Sequence, residues 1–372
     1  MLLETAKEQI CMNQVIGEKR EMTTVEGDVI VNDIKPDVLS VINTSGIASV
    51  YKKEVMDGKV RLDGSINTYI IYLADSDNGN VRSLNTVLDF SVFVNIEGCR
   101  AGMTLDDNVE IKNFECSVLN SRKVNIKANM EMNIKVYSNE TVEMVSNVDD
   151  TPGMQVLKKQ VSINSAVGYG TSRAFAKDTI AIDTPDDLAE IMKAGFRITN
   201  KEAKVSYNKV LVKADSMVNI MYLTEDNRIN TVSTQIPIMG FVDMPNVTEE
   251  NMCEVKCKLK NIVIKPNNTE THSIYVEAEI ELICFVYETK NVDMIEDLYS
   301  TDADVSFNKQ EIRTMCRKDR VQDTCSIREQ IAVPEIGSNK LYDVDIRPSI
   351  TDMTRQNGKV AFVRRSKLRV SF

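Results

Sequence analysis

Strict alternation of apolar and polar residues runs through much of the chain. Between Val124 and Val136 every second residue is apolar, and the residues between them are Asn, Lys and Glu. A period of two is typical of a strand that buries one face, so we predict a long, half-buried β-strand here. The segment Val60 to Tyr72 shows the same pattern, and the Asp57-Gly58 step before it predicts a hairpin turn.

The alternating segments recur at a fixed distance along the chain. Val60 to Tyr72 returns as Val210 to Tyr222, an offset of 210 − 60 = 150 residues, and 124 to 136 returns at the same offset. A shared tripeptide precedes the strand in each repeat: Gly58-Lys59-Val60, Asn208-Lys209-Val210 and Gly358-Lys359-Val360. The spacing predicts one module over residues 1–150, a second over 151–300, and a partial third over 301–372.

We therefore expect a mainly β fold of tandem, β-sandwich-like antiparallel modules, each carrying one short helix. The helix is predicted at Pro36 to Ile42 and at Pro185 to Met192, because proline followed by acids and then by Leu and Ile three or four residues apart is typical of a helix start. The third module stops at half length. Its last strand, 359–372, is expected to keep an open edge that another strand could cover.

Composition narrows the possible functions. The 372 residues carry a net charge of −10, which argues against nucleic acid as a partner. The presence of only one histidine argues against His-based proton relays and multi-His metal sites. The sequence shows no phosphate-binding loop and no nucleophile elbow. We predict no enzymatic activity, no catalytic residue, no cofactor and no metal site.

The opening residues and the cysteines bear on the compartment. Glu4, Lys7 and Glu8 fall where a signal peptide needs an apolar core, and no apolar run is long enough for a membrane span. We expect no export signal and no membrane partner. The eight cysteines include no Cys-x-x-Cys pair, so we expect most of them to be reduced and packed in the core.

Charge separates the last strands from the rest of the chain. Residues 343–372 contain seven bases and three acids, a net of +4, which leaves −10 − 4 = −14 elsewhere. Two interpretations stay open: the bases either guard an edge strand against aggregation or direct head-to-tail association with an acidic surface. Under the second, the predicted self-assembly residues are Lys359, Phe362, Arg364, Arg365, Lys367, Leu368, Arg369, Val370 and Phe372.

The segment from Val25 to Asp37, VEGDVIVNDIKPD, resembles the opening of the SPOCS domain, a β-rich module of spore-coat proteins in endospore-forming bacteria. The hydrophobic run to Ile42 and the hairpin at Asp57-Gly58 fit the same pattern, whereas the second and third repeats keep it only in part. The resemblance is to tandem SPOCS modules without the LysM domain that follows them in the best-known member. It implies a non-enzymatic structural role in the spore envelope, after synthesis in the mother-cell cytoplasm.

Three functional hypotheses follow. The leading one is a self-assembling structural protein of the spore coat or of a spore-surface fibre, with other copies and other spore-coat proteins as partners. The second is a monomeric adaptor that binds another morphogenetic protein, and the third is an enzyme acting on envelope glycans. The sequence leaves open the polymer geometry, whether cysteines crosslink, and whether the third half-module is completed in cis or in trans.

Overall fold

In the computed structural model the chain forms two compact units, Met1–Lys318 and Asp319–Phe372. The structure describes residues 4–76, 80–148, 153–184, 186–267, 272–302, 304–308, 326, 328–330, 332, 343–356 and 359–371. Within these ranges every regular element is a β-strand. The predicted mainly β class of tandem antiparallel modules is thus confirmed.

Fourteen strands follow one another along the described chain. Their bounds are β1 Thr5–Ile30, β2 Val38–Met56, β3 Lys59–Ala74, β4 Val81–Asn95, β5 Thr104–Asn120, β6 Lys123–Val148, β7 Met154–Ala181, β8 Leu188–Ser206, β9 Lys209–Thr224, β10 Ile229–Asp243, β11 Met252–Pro266, β12 Ser273–Ser300, β13 Asp343–Gln356 and β14 Lys359–Ser371. We call β1–β6 module 1 and β7–β12 module 2.

The two modules share one topology. In module 1, three-stranded antiparallel sheets have the orders β1-β6-β5 and β2-β3-β4. In module 2 the corresponding sheets are β7-β12-β11 and β8-β9-β10. The long strands β6 and β12 lie at the centre of their sheets, as do β3 and β9. The prediction that the modules divide at residues 150 and 300 stays a prediction.

Each module buries the alternating apolar residues of its two central strands in one core. In module 1, Leu62 and Ile66 of β3 lie in the same cluster as Ile126 and Ile134 of β6, and all four are fully buried. Module 2 repeats this with β9 and β12. Burial of one such side chain contributes about 1.5–3 kcal/mol. Burial of the alternating apolar side chains is therefore the main source of stability.

The predicted short helices are wrong, because both segments are strands. β2 begins at Val38 and β8 at Leu188, whereas Pro185 lies outside the described residues. Each strand opens with two register shifts in close succession, between Val38/Ser40 and Val41/Asn43 in β2 and at the equivalent places in β8. A bulge adds one residue to a strand. Apolar residues on either side are then spaced by three, which imitates the period of a helix.

The hairpin predicted at Asp57-Gly58 is present. Gly58 joins β2 to β3 with a φ of 74°, and Asn208 takes the same place between β8 and β9 with a φ of 58°. Glycine and asparagine are the residues that accept a positive φ at lowest cost. In the two complete modules, the first residue of the tripeptide that marks the repeat is therefore a turn residue, and the next two begin the strand.

An ion-pair cluster joins module 1 to module 2. Lys53 of β2 lies with its Nζ 2.8 Å from Asp107 Oδ1 in β5 and 2.5 Å from Glu281 Oε2 in β12. Only 14 % of the Lys53 side chain and 4 % of the Asp107 side chain are exposed. Burial lowers the pKa of Lys53, but Asp107 and Glu281 outweigh it and the net pKa is raised. The buried ammonium of Lys53 thus forms an ion pair with one carboxylate from each module.

A second set of contacts widens this cluster. Asp106 of β5 accepts hydrogen bonds from Lys256 at 2.6 Å and from Lys258 at 2.7 Å, both on β11, and Lys258 also lies 3.3 Å from Asp107. At a separate place along the junction, Ile71 of β3 packs into an apolar cluster with Met192 and other residues of module 2. The junction is therefore both ionic and apolar, and it belongs to the single compact unit Met1–Lys318.

Acidification is expected to weaken this junction below about pH 3.8. Burial raises the pKa of Asp106, but Lys258 and Lys256 outweigh it, so that the pKa lies below the ordinary value of 3.8. A carboxyl with a lowered folded pKa contributes stability that is complete above its unfolded pKa and is lost as the pH falls through the folded pKa. Guanidinium unfolding at a series of pH values measures the loss. The Asp106→Asn variant should show a smaller decline below pH 3.8 than the wild type, and equal declines would contradict the assignment.

Candidate assembly surface

Strands β13 and β14 form an antiparallel hairpin in the unit Asp319–Phe372. The register pairs Val344 with Val370, Ile346 with Leu368 and Met353 with Phe362. Among the described residues, no other strand pairs with either member of the hairpin. By the repeat offset, β13 and β14 correspond to β2 and β3 of module 1.

Equivalent apolar positions of β3, β9 and β14 differ sharply in burial. Side chains that fill the core of both modules are half exposed in the hairpin. The exposed fractions are 0 % for Val60, 0 % for Val210 and 51 % for Val360, and at the next position 0 % for Leu62, 1 % for Val212 and 57 % for Phe362. The third repeat therefore keeps the apolar pattern of a core strand while these side chains remain accessible.

One face of the hairpin is apolar and exposed. The single register shift, between Ile350 and Asp352, returns Met353 to the side that carries Ile350, and the same register places Arg355 and Arg364 on this side as well. Its described apolar members, with exposed fractions from 43 % to 65 %, are Val344, Ile346, Ile350, Met353, Val360 and Phe362. Several exposed apolar side chains on one face are typical of an interaction surface.

The predicted self-assembly residues fall on β14, and the structure describes them unevenly. Lys359 and Phe362 are exposed. The backbone register places Arg364, Arg365, Lys367, Leu368, Arg369 and Val370 opposite residues of β13. Phe372 lies outside the described residues. Their role in assembly stays a prediction.

Sequence reasoning missed the contribution of β13 to this surface. Ile346, Ile350 and Met353 are each more than half exposed. The alternation of Val344 and Ile346 was the available signal, but Pro348 interrupts it and the shift after Ile350 changes its parity. A complete prediction would have needed the position of that bulge.

The rest of the described structure offers little catalytic chemistry. In those ranges no group of three or more His, Cys, Asp or Glu residues could hold a metal ion. His272 lies with its Nε2 3.3 Å from Asp187 Oδ1 on the surface. Among the described residues there is no helix long and apolar enough to cross a membrane. The six described cysteines are free thiols, and Cys316 and Cys325 lie outside the described residues.

The fold defines a class first: an all-β protein built from tandem modules. Within that class, residues 37–119 and 187–267 match the family model described as SipL, SPOCS domain. These two regions belong to the SPOCS domain family and lie in tandem, which confirms the resemblance. No curated protein and no solved structure matches the chain.

The matched regions correspond to particular strands. The first covers β2–β5 and the second β8–β11, whereas the long strands β1, β6, β7 and β12 lie outside both matches. Those strands nevertheless complete the sheets that the matched strands pack against. The SPOCS family is non-catalytic and spore-associated, and the two matched regions, which cover less than half of the chain, indicate a spore-associated protein.

Proposed function

We propose that this protein is a structural component of the spore envelope, in the coat or in a spore-surface fibre, and that it self-assembles through the β13–β14 hairpin. The observation that carries the proposal is the burial contrast between equivalent strands: Val60 and Val210 are fully buried, whereas Val360 is half exposed. A strand with a core pattern and exposed side chains gains most by binding an apolar partner surface.

The partner in this proposal is a second copy of the chain. The edge of β14 that no described strand covers can accept a strand by backbone hydrogen bonding, while the apolar side chains fill pockets between the partner's side chains. The charge distribution supports a second copy as the partner, because residues 343–372 carry a net charge of +4 and the rest of the chain carries −14. Opposite charges speed association and set the relative orientation of the subunits. The resulting contact is head-to-tail, so it can continue from copy to copy.

Removal of residues 359–372 tests the proposal. We expect the full chain to form species larger than the 41.8 kDa subunit and the truncated chain to be monomeric. Multi-angle light scattering measures both, and circular dichroism checks that the truncated chain keeps its β content. An unchanged particle size after truncation would contradict assembly through this strand. A wild-type chain that is a monodisperse monomer would favour the adaptor hypothesis.

A single charge introduced into the apolar face gives a sharper test. Phe362→Asp is expected to weaken self-association at least tenfold, because the aspartate must lose water wherever the phenylalanine is covered. Phe241→Asp in β10 is the matched control, since Phe241 is 55 % exposed and Phe362 is 57 % exposed. Sedimentation velocity over a concentration series compares the two variants. Equal weakening by both would point to a general effect of charge.

The proposed location follows from the family and not from the geometry. A spore-associated family supports synthesis in the mother cell and deposition on the spore envelope. Other spore-coat proteins are the further partners proposed here. Immunogold labelling of spore sections checks the location, and labelling confined to the spore core would contradict it.

A further inference from the structure

A groove lies between the outer face of β3 and β4 in module 1 and strand β11 of module 2. Side chains of β3 and β4 form its floor, and residues 261–264 of β11 form one wall. Its volume is about 390 Å³, which suits a small molecule or a short segment of a polymer. Both modules belong to the compact unit Met1–Lys318, so the floor and the wall are parts of one body.

Four residues of the floor form two neighbouring cross-strand pairs. Asn67 lies opposite Val87, and Tyr69 lies opposite Asn85. Residues two apart on a strand share a face, so all four side chains lie on the outer side of the sheet. The fold does not require these residue types, because the same register positions of module 2 carry Met217, Asn219, Gln235 and Ser233.

The two asparagine side chains are oriented by module 2. Asn67 Nδ2 donates to the Ile262 carbonyl of β11, and Asn85 Nδ2 donates to the Ile191 carbonyl of β8, each at 2.9 Å. Among the described residues, neither Oδ1 atom has a hydrogen-bond partner. The groove therefore offers two amide oxygens that can accept hydrogen bonds from a ligand.

Tyr69 adds a hydroxyl without a partner inside the protein. The residue is only 5 % exposed, and no described residue forms a hydrogen bond with its hydroxyl. This hydroxyl is not among the fully enclosed unpartnered atoms of the described structure, so it is open to the groove that Tyr69 lines. Burial raises the pKa of Tyr69 to about 12, and the group therefore stays protonated and can donate. A hydrogen bond to a ligand would remove the cost of leaving this group unpaired.

The lining is neutral and partly apolar. Of the described residues that line the groove, none has a side chain that is charged at neutral pH. A charged ligand would lose water there without gaining an opposite charge. Val87 and Val263, which are 56 % and 38 % exposed, place apolar surface beside the polar groups. An uncharged ligand with many hydroxyl groups and one apolar face matches this lining, and a pyranose sugar has these properties.

We propose that this groove is a binding site for a neutral oligosaccharide. Sugar hydroxyls donate to Asn67 Oδ1 and Asn85 Oδ1, and the Tyr69 hydroxyl donates to a sugar oxygen. The C–H face of a pyranose ring packs against Val87 and Val263. A peptide fits less well, because β3 is paired with both β2 and β4, so the floor presents side chains and not free backbone groups.

Isothermal titration calorimetry of the full chain tests the ligand class. The neutral probes are cellotriose and the trimer of N-acetylglucosamine, and the charged probe is the trimer of glucosamine, which carries ammonium groups. We expect at least one neutral trimer to bind, and the glucosamine trimer to bind at least about tenfold more weakly. Binding of neither neutral trimer, or equal binding of the charged one, would overturn the proposal. Tighter binding of a neutral Gly-Ser peptide would overturn it as well, in favour of a peptide site.

Removal of one hydroxyl tests the site. Tyr69→Phe should weaken binding of the neutral trimer about fivefold, the effect of one lost hydrogen bond. Tyr51→Phe is the matched control, because Tyr51 of β2 is 46 % exposed and does not line the groove. Methyl NMR spectra of the wild type should show shifts at Val87 and Val263 when the trimer is added. Equal weakening by both variants, or shifts confined to other methyl groups, would refute the assignment.

The stability of the ligand-free protein gives a second readout. Tyr69→Phe should leave the Tm unchanged or raise it, because the lost hydroxyl has no partner within the described protein. A lower Tm would show that the hydroxyl is bonded inside the protein and is not offered to a ligand. The groove shares no residue with the β13–β14 hairpin. Failure of saccharide binding is therefore distinguishable from failure of self-association.

Discussion

Replacement of Asp107 by alanine is expected to lower the free energy of unfolding of the unit Met1–Lys318 by about 3–5 kcal/mol, the usual cost of removing one partner from a buried ion pair. The Asp107 carboxylate lies 2.8 Å from Lys53 Nζ and 3.3 Å from Lys258 Nζ, and its side chain is 4 % exposed. Without it, Lys53 keeps only Glu281. A buried ammonium would then be incompletely paired between the two modules.

Guanidinium unfolding followed by tyrosine fluorescence and circular dichroism measures the loss. Glu254→Ala is the matched control, because Glu254 lies 3.6 Å from Lys256 and 44 % of its side chain is exposed. An exposed pair contributes about 0–1 kcal/mol. If the Asp107 and Glu254 variants lose the same stability, the buried cluster does not hold the modules together.

Glu281 corresponds to Glu131 in module 1 and Asp106 corresponds to Glu254 in module 2, but the other residues of this cluster change type between the repeats. Lys256 and Lys258 of β11 correspond to Asn108 and Glu110 of β5, and Asp107 corresponds to Val255. Module 2 has Val255 where module 1 has Asp107, so it cannot form the same ion pairs with another module. Assembly by repetition of this junction is disfavoured, and the proposed assembly surface must use different contacts. The hairpin β13–β14 meets that requirement, because its strands contain none of the residues of this cluster.

Much of the fold could be predicted from the alternation and the repeat. The central strands β3, β6, β9 and β12 have the strictest alternation because both edges are paired and one face is fully buried. The N-terminal part of β1 was not predicted, since most of its side chains there are exposed and its sequence has no period. The helix prediction failed at the bulges of β2 and β8.

The junction and the full assembly surface were beyond sequence reasoning for a different reason. Lys53, Asp107 and Glu281 come from three strands of two modules, and no local pattern links them. Their burial depends on how the modules pack, which alternation does not specify. On β14, by contrast, local alternation was enough to single out Phe362 and Leu368. What it did not provide was the partner strand β13 with its own apolar residues.

Alanine substitutions at the equivalent residues Leu62 and Phe362 are expected to affect two different properties. The first should lower the stability of the subunit, and the second should weaken self-association. Leu62→Ala should cost about 2–5 kcal/mol of unfolding free energy, because Leu62 is fully buried in the core of module 1. Phe362→Ala should change the stability of the isolated subunit by no more than about 0.5 kcal/mol, since Phe362 is half exposed. It should instead weaken self-association, where the phenylalanine is covered.

Denaturant unfolding in dilute solution, where subunits are separate, gives the first quantity, and sedimentation velocity at higher concentration gives the second. Leu62→Ala serves as the positive control for core truncation and Phe362→Ala as the test. A large loss of stability from Phe362→Ala in dilute solution would mean that the apolar face is covered within one subunit. The third half-module would then be completed in cis, and β14 could not present this face to a second copy.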